Sequence, residues 1–158
     1  MQMLLAAGYP LAWNGLPNRN KWNERGFYEM DWNKGTLAEC EGKAVKVMPF
    51  DLYRLTPDHE YRFITILRNI ACIEASMEHT VQWRGKEMFD AHHASDWQAR
   101  TLDFIKDYSR VIVEFSDLFN GKAQQQIGEF LGFDELQIAK MNDCVDPSMW
   151  HFKPGENQ

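Results

Sequence analysis

The chain has 158 residues, enough for one domain, and 44% hydrophobic with 13% aromatic residues is enough for a real core rather than a disordered chain. A net charge of −6 excludes bulk nucleic-acid binding but still allows a local basic pocket for a small anion. The three cysteines, Cys40, Cys72 and Cys144, are far apart and form no CxxC pair, which argues for free thiols in a reducing, cytoplasmic setting and against a disulfide frame or a zinc site. No apolar run approaches the roughly 18 residues of a membrane span.

The opening "MQMLLAAGYPLAW" is apolar, but it lacks a basic leader and a convincing cleavage site, so it is not read as a signal peptide. It reads as a helix that ends at Gly8 with Pro10 beyond. This helix has no N-cap, so the chain is expected to begin inside an element. Residues 9–36, rich in Gly, Pro, Asn and Trp, read as a long irregular connection of the kind that is usually functional or mobile. "KAVKVM" (43–48) predicts a strand stopped by Pro49. "YRFITIL" (61–67) predicts a second, with Phe63 to Leu67 buried on both faces. Residues 70–84 predict a helix with Ile70, Ile73, Met77 and Val81 on one stripe. Residues 95–109 predict an amphipathic helix with Trp97, Leu102, Phe104 and Ile105 inward. "RVIVEF" (110–115) predicts the third strand and residues 120–132 a helix stopped at Gly132. From Asp134 the chain reads as a short polar tail with one apolar cluster around Met149, Trp150 and Phe152.

Strands alternating with helices predict an α/β layer fold, a parallel sheet flanked by helices, with all three strands in one sheet. Ligands bind such sheets outside the carboxyl ends of the strands. Arg68 stands there, one step past a strand and at the start of a helix, where backbone N–H groups, the helix dipole and a guanidinium converge on an anion. Ser76, two turns into that helix, would add a hydroxyl donor if it faces the same pocket. The competing reading is a rim arginine paired with Glu74 or Glu78 and a serine that merely packs. His92 and His93 invite a metal site, but adjacent helical residues point about 100° apart and no third ligand is suitably spaced, so no metal is expected.

"ITILRNIACIEASM" resembles the 3′-phosphate-binding segment of the sulfotransferase family, in which a strand ends in Arg and a Ser follows on the next helix. Other segments resemble that family in the same order. "MQMLLAAGYPL" is similar to the helix after the phosphosulfate-binding loop of bacterial sulfotransferase-like proteins. "ERGFYEMDW" is similar to a Gly-Tyr-Tyr-Glu segment of that group, and "GKAVKVM" to the family's second strand. "VIVEFSDLF", "IGEFLGF" and "CVDPSMW" resemble the late strand, the late helix and the closing segment. The resemblance spans nearly the whole chain, residues 1–158, as a single sulfotransferase-like domain on a P-loop-NTPase-like sheet.

The resemblance implies sulfuryl transfer from 3′-phosphoadenosine 5′-phosphosulfate (PAPS) to a hydroxyl or amine of a small-molecule, carbohydrate or peptide acceptor. The physics is close to that of phosphoryl transfer: positioning plus electrostatic stabilisation of spread negative charge. It implies that Arg68 and Ser76 hold the 3′-phosphate of PAPS or of adenosine 3′,5′-bisphosphate. It implies that Lys46 stabilises the transferring sulfonate, against a reading in which it merely faces outward on a strand. Glu29 is the candidate general base, against a solvated loop glutamate. Of the six tryptophans, Trp22 and Trp32 lie where the family's acceptor pocket tends to form, against the common packing role.

The family's Gly-rich phosphosulfate loop, roughly "GLPRSGTS", has no counterpart in the 158 residues, and Met48 stands where many members carry a histidine base. The loop and its strand, central in the family's sheet, would stand just before Met1. The chain is therefore expected to be inactive as it stands, by truncation or by natural loss, with the abrupt first helix favouring truncation. The alternative is a non-catalytic α/β binding or interaction module that retains a 3′-phosphate half-site. Without the central strand, β edges ending at Leu67 and Phe115 would be unpaired, which predicts a homodimer or a cover from the N-terminal segment.

Overall fold

Two parallel strands form the centre of the molecule. β1 (Arg62–Leu67) pairs with β2 (Ser109–Glu114), in register from Arg62 opposite Ser109 to Leu67 opposite Glu114. The computed structural model describes residues 1–12, 30, 32, 35–75 and 94–146. Around the strands lie α1 (Gln2–Ala6), a helix α2 described over 70–75, α3 (Ala94–Ile105), α4 (Lys122–Leu131) and α5 (Glu135–Asp143). Short 3-10 turns follow at Leu37–Cys40, Pro49–Arg54 and Phe115–Phe119. The fold is therefore α/β, with a small parallel sheet between helices.

Side-chain alternation assigns the two faces. Ile64, paired with Val111, and the buried Val113 pack into the core formed by Leu4, Ala7, Leu118, Ala123, Ile127 and Met141. On the other face Phe63 meets Tyr108 and Phe104, at centroid distances of 5.2 and 6.2 Å. Arg110 closes the end of α3 by donating from Nη1 to the carbonyls of Lys106 and Ile105. That satisfies groups that a helix C-terminus leaves open.

α4 stops at Gly132, whose φ of +76° is the left-handed conformation that glycine adopts without strain. Phe133 N–H then reaches Gly128 C=O at 2.8 Å and Gly132 N–H reaches Glu129 C=O at 3.3 Å. This is the Schellman pattern. α5 starts two residues later at a capping box. Asp134 Oδ1 accepts from Gln137 N–H at 2.8 Å, and Gln137 Oε1 accepts from Asp134 N–H at 3.1 Å.

Two expectations are corrected. Residues 43–48 form no strand of the sheet. Ala44 makes an isolated parallel bridge to Leu11 instead, because a cavity separates this segment from β1 and a ladder needs a neighbour about 4.8 Å away. The polar tail from Asp134 contains a helix, α5, whose one fully buried side chain is Met141. Among the described residues the N-terminal segment bonds the 43–48 segment, where Ala12 N–H donates to Ala44 C=O and Ala44 N–H to Pro10 C=O, at 2.8 Å each. No helix among the described residues is long and apolar enough to cross a membrane.

Candidate functional site

The parallel register continues one residue beyond the sheet. Leu67 lies opposite Glu114, so the next residues, Arg68 and Phe115, come side by side at the carboxyl edge. The Arg68 guanidinium stands 4.8 Å from the Phe115 ring centroid. Such a cation over an aromatic face gains about 0.5–2 kcal/mol, more as it is desolvated. Phe115 is itself braced edge-on by Phe119 at 5.5 Å. Burial pushes the Arg68 pKa down, against a smaller opposite effect of Cys72, yet an arginine stays charged.

Arg68 has a buried Nε with no hydrogen-bond partner. It forms no ion pair with Glu74, and Glu78 lies outside the described residues. A buried N–H of a cation without an acceptor costs more than a neutral orphan, so the group is poised for an anionic acceptor. Directly after it, Asn69 caps α2: its Oδ1 accepts from Ala71 N–H at 2.9 Å and its C=O from Ile73 N–H at 3.1 Å. An Asn just before a helix is a legible N-cap, whereas the meeting of Arg68 with Phe115 depends on a register that spacing alone does not fix.

Lys46 belongs to a second neighbourhood. It lines a cavity of about 1030 Å³ between the 43–48 segment and β1, with Ile66 and Leu67 on the far wall. It also stands close to the start of α1, where the Met1 amino group is shifted below its ordinary value by burial first and by the charge of Lys46 second. Arg68 does not line this cavity. The two candidate basic residues thus belong to different neighbourhoods. Trp32 packs with Ala12, Met30, Cys40 and Val45 in a small separate cluster. Glu29, Ser76, Trp22, His92 and His93 lie outside the described residues.

Among the described residues no group of three or more His, Cys, Asp or Glu could hold a metal ion. Cys40 and Cys72 are free and buried, and burial pushes the Cys40 thiol up, which makes it a poor nucleophile. The chain matches no family model, no curated protein and no solved structure.

Proposed function

We propose that the chain is a sulfotransferase-like domain that binds a 3′-phosphoadenosine nucleotide, PAPS or adenosine 3′,5′-bisphosphate, through its 3′-phosphate at Arg68. The observation that carries this reading is the buried, partnerless Nε of Arg68 at the carboxyl edge of a parallel sheet. Phe115 holds the guanidinium from one side, which leaves its donors for a ligand. Each charge-assisted bond to a phosphate contributes roughly 1.5–3 kcal/mol, and a hydroxyl from Ser76 would add about 1 kcal/mol.

The family activity, sulfuryl transfer to a hydroxyl or amine, is the wider proposal. Bound PAPS would supply the transferable sulfonate. Lys46 would stabilise the sulfonate's negative charge, Glu29 would accept the acceptor's proton, and Trp22 and Trp32 would border the acceptor. Supporting this is the place of Lys46 near the start of α1, in the wall of the cavity beside β1. These 158 residues hold no Gly-rich loop to cradle the phosphosulfate, so they are expected to bind the nucleotide without transferring sulfonate.

Calorimetric titration with adenosine 3′,5′-bisphosphate tests the reading. The expected affinity is weak, on the order of millimolar to high micromolar. Arg68→Ala should abolish binding. Arg68→Lys should restore only part of it, because the planar fork is lost. Equal affinity in the wild-type chain and Arg68→Ala would reduce Arg68 to a packing residue stacked on Phe115.

A further inference from the structure

Asn120 and Gly121 join the 3-10 turn at Phe115–Phe119 to α4. In an Asn-Gly pair the glycine nitrogen can attack the asparagine side-chain amide, since glycine has no Cβ to oppose the approach. Asn120 is exposed, so water reaches it. Gly121 is the N-cap of α4, at a φ of +83°.

The local geometry decides when that chemistry runs. A circuit of three bonds holds the Asn120 side chain. Its Nδ2 donates to Asp117 Oδ1 at 3.3 Å, and its Oδ1 accepts from Lys122 N–H at 3.0 Å. Lys122 Nζ closes the circuit on Asp117 Oδ2 at 3.0 Å. Both ends of the amide are therefore engaged, one of them in an Asx turn. Attack would need the Gly121 nitrogen eclipsed with Asn120 Cβ about the Cα–C bond. At the observed ψ of 4° it eclipses the Asn120 nitrogen instead, a third of a turn away. The folded circuit thus keeps the reacting atoms apart.

We propose that Asn120 is a deamidation site gated by Asp117, blocked while the circuit is closed and released by local opening of residues 117–122. In the open state the Gly121 nitrogen gives up its proton and attacks Asn120 Cγ. A C–N bond forms, the Cγ–Nδ2 bond breaks, and Nδ2 leaves as ammonia with that proton. Water then opens the succinimide at either carbonyl. Its OH goes to the carbon and its H to the Gly121 nitrogen, which leaves aspartate or isoaspartate at position 120. Either product replaces the Nδ2 donor with a carboxylate that repels Asp117, so that arm of the circuit is lost. Isoaspartate also lengthens the main chain by one methylene. The join has little room for it, since a Cβ on Gly121 would already lie 3.3 Å from Asn142 Oδ1. The proposal does not depend on the anion site at Arg68.

The test follows conversion at Asn120 by peptide mass spectrometry of the 158-residue chain in mildly alkaline buffer, folded and in denaturing urea. The chain's other Asn-Gly pair, Asn14–Gly15, is an internal reference in urea, where the two pairs should convert at similar rates. In the folded chain Asn120 should convert more slowly than in urea by about tenfold or more. Asp117→Ala should speed the folded chain by about threefold to tenfold, the worth of one hydrogen bond, and leave the rate in urea unchanged. Asp117→Asn, which keeps an acceptor for Asn120, should speed it less. Asp134→Ala weakens α5 away from the circuit and should change the folded rate by less than about twofold. Equal rates folded and in urea, no conversion in urea, or an Asp117→Ala rate equal to that of the wild type overturns the proposal. Equal acceleration by Asp134→Ala also overturns it, because the gate is then global unfolding.

Discussion

At Gly128 one hydrogen atom sets how closely α4 and α5 approach. A Cβ built there would lie 2.5 Å from Cγ1 and 2.7 Å from Cδ1 of Ile138, well inside contact distance. Gly128→Ala gains about 1 kcal/mol of helix propensity. It then forces the α5 backbone or Ile138 aside, at a cost of about 1–3 kcal/mol for overpacking. Net destabilisation is expected in urea unfolding, and Ile138→Ala in the same chain should recover part of it. Gln124 shows what a one-dimensional reading misses at this scale. In "KAQQQIG" it looks like helix surface, yet it is 1% exposed and donates from Nε2 to Leu118 C=O at 2.7 Å. Its burial follows from the tight 3-10 turn after β2, which tucks the start of α4 against the sheet.

The helix ends carry the next level of specification. Asp134 contributes both the capping carboxylate and the backbone N–H of its box, so Asp134→Ala should fray α5 and cost about 1 kcal/mol, within a usual range of about 0.5–2. The loss should be visible as a lower urea midpoint and faster amide exchange at Gln137. Before α4, Asp117 bridges Lys122 at 3.0 Å and accepts from Asn120 at 3.3 Å. Its carboxyl is held below the usual range, first by the hydrogen bond with Lys122. A depressed native pKa gives stability that is fully present above the unfolded value and lost as pH falls through the native one. Asp117→Asn should therefore flatten the fall of the urea midpoint between about pH 5 and pH 2 and leave its slope near neutrality unchanged. Elements with strong periodicity were legible: β1 and β2 stand within a residue of the spans read from apolar runs, and α4 ends at the expected Gly132. α5 was not legible by stripe, because its polar residues outnumber its buried one, although its Asp-x-x-Gln box was there to be read.

For the molecule as a whole, the alternation of strand and helix foretold the α/β class, and the place of Arg68 past β1 followed from the strand's end. What spacing could not supply was the partner across the sheet, Phe115, or the failure of residues 43–48 to join the ladder. Both depend on which segments become neighbours, a long-range fact with no local signature. Long-range geometry also bears on how the chain is made. Gln137 Nε2 donates to Ala7 C=O at 2.9 Å across 130 positions of sequence, and α1 rests on α5 with Leu4 and Ala7 in the core beside Met141. During synthesis at roughly 5–20 residues per second, α1 would wait on the order of ten seconds before its seat leaves the ribosome. Through that interval α1 lacks its seat on α5, so a nascent-chain chaperone that holds short apolar helices would meet it first.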